Sequence, residues 1–422
     1  MDATFTYAAV YQADAVCLTP LRTGGADGDT ETVLRYADGM AFLQGTSLAG
    51  ALREWLSNMD KAAEETLFGS QQHDGHLIVS DGVFETEAEQ SIRPRLKINR
   101  RTGSADQGGK FDIAQISRNA RLRFTLTWLG NKTDIWELDA VEKMLVALHQ
   151  GEIRLGAQKS TGFGRVELSV RKRLLDMRSA EDRNAWLNDQ AGGTPLMLTT
   201  AASAFDLVTF TLSGYTDSIL VKASSVEQDG TGSYMPNIRE GGCSVLPGPS
   251  IKGAVRARAE AVVQFMGADL SLIASLFGRG AENDNGKQGQ VRFEDVLLEP
   301  DHRRRQTRVR IDRFTGGVMR GGLFCEEPVS GTIKTTITMP NEPAACGLML
   351  YVLRDLGLGL YSLGSGGGIG RGYLRLDQIK VQSSDGRGAM LSFGNYEVMK
   401  SDDSSGLFSE WLNALEEICD EN

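Results

Sequence analysis

The chain has 422 residues, 41% hydrophobic and 24% charged, which excludes disorder or a coiled coil and suggests two or three globular domains. The five cysteines are scattered singly, which argues against a zinc ribbon and a disulfide framework. The sequence has no run of 18 apolar residues, which argues against a membrane span, and no basic segment before an apolar N-terminal core, which argues against an export signal. We therefore expect a cytoplasmic protein, and although its net charge of −10 disfavours a polyanionic partner, its basic residues cluster locally.

The predicted elements run in the same order in both halves of the chain. The first half predicts strand 5–18, helix 47–58, strand 77–84, a basic hairpin at 93–111, strand 122–128, helix 136–150 and strand 164–170. The second half predicts strand 205–221, helix 250–265, strand 290–298, a basic hairpin at 302–324, strand 332–339, helix 344–356 and strand 373–379. The order β-α-β-β-α-β is that of the ferredoxin-like (RRM-like) α+β fold, with an inserted hairpin. Ser47 and Ser250 are expected to cap the first helix of each half.

Internal repeats indicate that the two halves are homologous. LQGTSLAGALR, which begins at Leu43, matches LPGPSIKGAVR at Leu246, and RLKINRRTGSADQGGKF at Arg95 matches RVRIDRFTGGVMRGGLF at Arg308 in eight of seventeen positions. A Gly-rich loop before the last strand also recurs, with the same glycine spacing. Because these landmarks keep one order, we predict a first domain, a linker, a second domain and an acidic C-terminal extension, at 1–171, 172–203, 204–384 and 385–422.

The hairpins carry the strongest electrostatic signal. Residues 302–322 hold seven arginines and one acid, Asp312, and residues 93–101 hold five basic residues and no acid. A solvated charged surface explains any one such run, but its recurrence in both halves favours single-stranded RNA bound through its phosphates. The Gly-rich loops precede strands and lack both the G-x-G-x-x-G spacing and the Walker Gly-Lys-Ser/Thr order, so no nucleotide cofactor is expected. They serve either as tight turns or as a backbone surface that lies against a polyanion.

Groups with catalytic potential are few. His73 and His76 share a loop without a third ligand at metal spacing, so we expect no zinc, and no nucleophile signature is present. What remains is an acidic, Gly-rich loop between the first strand and first helix of each half, GGADGDTE from Gly24 and EQDGTG from Glu227. A solvated turn is the default interpretation of such a loop.

Taken together, these motifs resemble the RAMP superfamily, the backbone subunits of type III CRISPR-Cas effector complexes. The resemblance rests on G-x-S-[LI]-x-G-[AV]-[LV]-R at the first helix, the basic hairpin (the family's thumb) and the Gly-rich loop, each found twice. Two such domains in one chain are similar to the fused backbone subunits of subtype III-D. The resemblance implies guide RNA, target single-stranded RNA and other effector subunits as partners in antiviral defence, with no membrane involved.

The resemblance also implies which residues bind RNA. They belong to the first helices, the thumbs and the Gly-rich loops. In chain order they are Ser47, Arg53, Arg95, Lys97, Arg100, Arg101, Lys159, Arg165, Ser250, Lys252, Arg256, Arg308, Arg310, Arg313, Arg320 and Arg371.

In active members of the family, an aspartate about sixteen residues before the first Gly of this motif cleaves target RNA. Asp29 has that spacing from Gly45, Asp27 is the fallback, and in the second half, where Gly232 occupies the position, the nearest upstream acid is Asp229. Such an aspartate could hold a divalent cation, Mg²⁺ or Mn²⁺, or help to deprotonate the 2′-hydroxyl. Three hypotheses remain: a guide-directed endoribonuclease of the effector, an inert RNA-binding scaffold, and a stand-alone guide-processing endoribonuclease, a class that usually relies on a histidine base.

Overall fold

The computed structural model describes residues 5–24, 33–85, 88–99, 105–188, 192–199, 203–230, 232–267, 269–279 and 286–420. The elements of the first half are β1 (Tyr7–Cys17), β2 (Phe42–Leu43), α1 (Gly45–Met59), α2 (Lys61–Phe68), β3 (Leu77–Val79), β4 (Gly82–Phe84), β5 (Gln90–Ile98), β6 (Ala105–Ile116), β7 (Arg121–Gly130), α3 (Glu137–Gln150), β8 (Val166–Asp176), α4 (Ala180–Leu187) and β9 (Thr194–Leu196).

The second half has the same core order with additional short strands. Its elements are β10 (Leu207–Ile219), β11 (Glu227–Asp229), β12 (Gly232–Pro236), β13 (Arg239–Glu240), β14 (Cys243–Leu246), α5 (Gly248–Met266), α6 (Ser271–Phe277), β15 (Gly278–Arg279), β16 (Lys287–Gln288), β17 (Arg292–Phe293), β18 (Val296–Leu297), β19 (His302–Arg303), β20 (Gln306–Ile311), β21 (Val318–Glu327), β22 (Val329–Pro340), α7 (Pro343–Gly357), β23 (Leu374–Ser383), β24 (Gly388–Gly394), β25 (Glu397–Asp402) and α8 (Leu407–Asp420).

Both main sheets have the ferredoxin-like strand order predicted from the sequence. In the first half β1 is central, with β8 on one side and β7, followed by β4 and β2, on the other. In the second half β10 is central, with β23 on one side and β22, followed by β17, on the other. The neighbours of each central strand are antiparallel to it. The expected α+β class with two tandem ferredoxin-like domains is therefore confirmed.

The chain forms two compact units whose boundaries differ from the repeat boundaries. The first comprises Met1–Ser91, Ala114–Lys159 and Phe163–Ala204, and the second comprises Ile92–Ile113, Ser160–Gly162 and Phe205–Asn422. Most of the β5–β6 hairpin of the first repeat is therefore counted with the second unit.

The segments predicted as linker and extension are largely structured. Residues 172–203 contain the end of β8, helix α4 and strand β9, which pairs with β8. Beyond residue 384, β24 and β25 extend the second sheet, and α8 buries Trp411 in the core of the second unit. The exposed acids Glu410, Glu416 and Glu417 therefore belong to a helix whose other face is apolar and buried.

The first helix of each half is capped by an aspartate from a distant strand connection, and not by the expected serine. Gln44 and Pro247 occupy the N-cap positions, and Ser47 and Ser250 lie inside the first turn. The backbone N–H of Gly45 donates to Asp81 Oδ1, and that of Gly248 donates to Asp295 Oδ1, both at 2.7 Å. The serine prediction was wrong because the motif's glycine, and not its serine, begins the helix.

Candidate nucleic-acid interface

The β20–β21 hairpin presents its arginines to solvent. Arg310, Arg313 and Arg320 are exposed, and Arg308 is half-buried at the base. Asp312, the acid at the turn of the hairpin, accepts hydrogen bonds from the backbone N–H groups of Phe314 and Thr315. These hydrogen bonds lower the pKa of Asp312, and the bond from Thr315 contributes most to that shift. Because this carboxylate is engaged in the turn, the arginine side chains along the strands give the hairpin a positive surface.

The matching β5–β6 hairpin is tied down by one of its arginines. Arg93 is buried in the second unit and pairs with Glu240 and Asp295, so it has a structural role. Lys97 is 77% exposed and lies 3.6 Å from Asp106 Oδ2, and Arg95 is half-buried. Arg100 and Arg101, two predicted RNA-binding residues, lie outside the described residues.

The Gly-rich loops are built on a close contact that recurs in both halves. Gly164 and Gly372 have φ of 82° and 79°, and a Cβ there would lie 2.0 Å from Leu155 O and 1.9 Å from Leu363 O. No side chain fits at that separation. Gly370 also has positive φ, 84°, but an added Cβ would meet no described atom within 4 Å. The loop thus combines a glycine required by the fold with one that faces open space.

Two predicted RNA-binding arginines on the first helices make the same internal contact. Arg53 Nη2 donates to Gly69 O at 3.1 Å, and Arg256 Nη1 donates to Gly278 O at 3.0 Å. Arg53 also pairs with the buried carboxylate of Glu64. In each half the arginine therefore fastens the C-terminal end of the second helix to the first.

The remaining predicted residues of the first helices and the first Gly-rich loop are accessible to different degrees. Ser47 is exposed, and Ser250 and Arg165 are half-buried. Lys159 Nζ lies 3.2 Å from Glu54 Oε2. In the second unit Lys252 Nζ donates to Ser160 Oγ at 3.2 Å, and burial, together with the nearby charge of Arg256, lowers the pKa of Lys252 to about 8.

A charged cluster at the base of the β20–β21 hairpin contains residues that the sequence did not single out. Glu326 Oε1 accepts from Lys222 Nζ at 2.9 Å, and Glu326 Oε2 accepts from Arg371 Nη1 at 2.7 Å. Burial tends to raise the pKa of Glu326, but the hydrogen bonds from Lys222 and Arg371 outweigh it, and the pKa is lowered. Arg371, predicted on the Gly-rich loop as an RNA contact, is only 2% exposed. No local pattern in the sequence pairs it with Glu326.

The acidic loops are described only in the second half. Asp27 and Asp29 lie outside the described residues. Asp229, at the end of β11, lies 2.5 Å from Arg305 Nη1 through its Oδ2, and the guanidinium carbon of Arg305 lies 3.6 Å from the ring centroid of Tyr234. The described candidate carboxylate is therefore held in an ion pair.

The histidine loop also has a structural contact. Glu137, 1% exposed, accepts from Trp128 Nε1 at 2.7 Å and lies 2.8 Å from His76 Nδ1. Within the described ranges, no three His, Cys, Asp or Glu side chains are grouped so that they could hold a metal ion. The described helices likewise include none that is long and apolar enough to span a membrane.

Comparisons with known proteins place these features in a family. The family model of the RAMP superfamily matches residues 14–167 and 195–375. Among solved structures, a chain of the type III-B Cmr-beta complex bound to cognate target RNA, solved by cryo-EM, is similar with 13% identity and a TM-score of 0.33. That similarity covers 40% of this chain and 61% of the other, so the chain spans about three-fifths of that relative's length. The curated proteins include no match.

Proposed function

Because the chain belongs to the RAMP superfamily, we propose that it is a tandem backbone subunit of a type III CRISPR effector complex, of subtype III-D, that binds guide RNA. The observation that carries the proposal is the repeated basic hairpin, in whose second copy Arg310, Arg313 and Arg320 are exposed while the acid of the turn, Asp312, is engaged by backbone N–H groups. Guanidinium groups bind phosphate oxygens through two parallel hydrogen bonds, and an exposed row of them suits an extended RNA backbone.

The first domain, in this proposal, also cleaves target RNA through Asp29, with Asp27 as the alternative. A divalent cation near the scissile phosphate would stabilise the charge that develops on the phosphate oxygens. Asp29 would supply one carboxylate ligand to that cation or would accept the proton of the attacking 2′-hydroxyl. In the sequence its loop precedes β2 and then α1, the helix that carries the G-x-S motif.

A scaffold role without cleavage is the second candidate for the second domain. The specific observation in its favour is the pairing of Asp229 with Arg305, because a carboxylate bound to a guanidinium is a poorer cation ligand and a poorer base. The two domains would then differ in chemistry while sharing their mode of RNA binding.

The test is cleavage of a complementary target RNA by the assembled complex with Mg²⁺ or Mn²⁺, mapped at nucleotide resolution. We expect Asp29→Ala to slow one cut at least about a hundredfold, the usual lower range for a positioned acid–base group, with RNA affinity nearly unchanged. Asp38→Ala, which removes a nearby exposed acid after the same loop, is the matched control and should cut normally. Wild-type cleavage by Asp29→Ala and by Asp27→Ala would contradict the proposal that the first domain cleaves.

A further inference from the structure

The second unit contains a buried ion pair at positions where the first half has apolar residues. Glu326 is 5% exposed and pairs with Arg371. Glu326 lies two residues after the shared Phe of the hairpin motif, where the first half has Ile113, and Arg371 stands between two shared glycines, where the first half has Phe163. Ile113 and Phe163 are 1% and 0% exposed. Both positions can therefore be occupied by apolar side chains in a buried setting.

Stability alone does not explain why the second half has ions there. Removing two charges from water costs several kcal/mol per ion, and replacing a buried ion pair by apolar residues of similar volume is often neutral or stabilising by about 1–4 kcal/mol. The presence of the Glu326–Arg371 pair is better explained by the neighbouring side chains that it holds in position.

Two further basic side chains converge on the same pair. Gln306 Oε1 accepts from Arg371 Nη2 at 2.7 Å and from Arg308 Nη2 at 3.1 Å, so one amide oxygen holds two guanidinium groups side by side. Lys222 contacts the other oxygen of Glu326. Three cationic groups thus surround one carboxylate, and the cluster has an excess of positive charge.

The cluster is open on one side and has hydrogen-bond donors to spare. The Lys222 and Arg308 side chains are 46% and 30% exposed, whereas Arg371 lies behind them at 3%. The Nε atom of Arg371 has no hydrogen-bond partner among the residues that the structure describes, and that of Arg308 has none either, although it lies 4.0 Å from Glu326 Oε2. Buried donors of this kind are normally satisfied by water or a ligand, and an anion would also relieve the repulsion between the two guanidiniums.

We propose that Glu326 and Gln306 position Lys222, Arg308 and Arg371 as a site for one backbone phosphate of single-stranded RNA. The proposal rests on the RNA-binding function proposed above and adds a site that the first half lacks. Lys222 and Arg308 contact the phosphate from the open side, and Arg371 supplies positive charge behind them. Glu326 does not contact the phosphate, because its own negative charge would repel it. It is a positioning residue, which holds Lys222 and Arg371 in place.

The test gives the second half the residues of the first, in the variant Glu326→Ile/Arg371→Phe of the full chain. This exchange removes one charge of each sign, so the net charge stays the same. Binding of a fluorescein-labelled oligouridine is measured by anisotropy between 50 and 200 mM salt. Each phosphate contact on a single strand contributes about 0.7 to the salt slope, so at 0.1 M salt we expect roughly fivefold weaker binding and a slope smaller by about 0.7.

The matched control removes another ion pair of the same unit. Arg375 Nη2 lies 2.6 Å from Asp217 Oδ2 on the exposed side of the sheet, and Arg375→Ala/Asp217→Ala also leaves the net charge unchanged. We expect wild-type affinity and salt slope from this control. Equal weakening by both double variants would overturn the proposal, because it would show a general effect of lost ion pairs.

Thermal unfolding separates a lost site from a lost fold. We expect the Ile/Phe double variant to melt at or above the wild-type temperature. If it does not fold, Lys222→Ala/Arg308→Ala removes the two accessible cations instead, and the same fivefold loss or more is expected. A folded variant with wild-type affinity and slope overturns the phosphate site alone, whereas a wild-type chain that binds no oligouridine overturns the RNA-binding function and the site with it.

Discussion

Two glycines of the second Gly-rich loop allow the fold requirement and the surface hypothesis to be separated. Gly372 and Gly370 both have positive φ, so alanine at either position costs about 1–2 kcal/mol in backbone conformation. At Gly372 the added Cβ would also lie 1.9 Å from Leu363 O, far inside van der Waals contact. The loop must then open, which breaks the hydrogen bonds from Leu363 N to Gly372 O and from Gly372 N to Ser218 O, 2.9 and 2.7 Å long.

Each of these hydrogen bonds is worth about 1 kcal/mol, so Gly372→Ala should cost about 2 kcal/mol more than Gly370→Ala in the free energy of unfolding. For a unit of this size that difference lowers the melting temperature by about 4–8 °C. Circular dichroism of the two full-length variants measures it directly. Equal melting temperatures would show that Gly372 does not make the close contact on which this reasoning depends.

Three other variants test the candidate interface. Replacing Arg308, Arg310 and Arg313 together by alanine should flatten the salt dependence of RNA binding by about two units, at about 0.7 per phosphate, and an unchanged slope would place the hairpin off the RNA path. Since the pKa of Lys252 is lowered to about 8, a Lys252 ammonium that binds phosphate should strengthen RNA binding below that pH and lose its effect above it. Fluorescence anisotropy gives the RNA affinities of wild type and Lys252→Ala at pH 7 and pH 9, and an affinity difference that is the same at both pH values would contradict this prediction. Arg53→Ala should lower the free energy of unfolding by about 2 kcal/mol, because it removes the ion pair with the buried carboxylate of Glu64 and the hydrogen bond to Gly69 O. An unchanged midpoint in a denaturant titration would contradict this prediction.

The topology could be predicted because it depends on patterns that are local in the sequence. Alternation along β1 buries Ala9, Tyr11, Ala13 and Ala15 on one face, and the same period recurs in the other central strands. Once two β-α-β-β-α-β units are recognised, the ferredoxin-like strand order follows. The repeats added the tandem organisation, because equal motifs in equal order fix where each element recurs.

The contacts between residues far apart in the sequence could not be predicted in this way. Asp81 and Asp295 reach the first helices from 36 and 47 residues further along the chain, so no capping pattern identifies them. Glu326 follows a basic hairpin and looks like the end of its charged run, yet its partner Arg371 is 45 residues away. Which arginines face solvent and which are tied to the fold depends on such long-range pairs.

The contacts of Asp229 bear on the cleavage proposed for the two domains. Arg305 donates to Glu327 Oε1 at 3.3 Å and pairs with Asp229, and the hydrogen bond to Asp229 raises the pKa of Arg305. A carboxylate in this setting is stabilised as an anion but is occupied by its partner, so it is poorly placed to accept a proton or to bind a cation. We therefore expect Asp229→Ala to slow target cleavage less than about tenfold, in the assay where Asp29→Ala slows it at least about a hundredfold. A separate cut that disappears only in Asp229→Ala would show instead that Arg305 releases this carboxylate when RNA binds, and that both domains cleave.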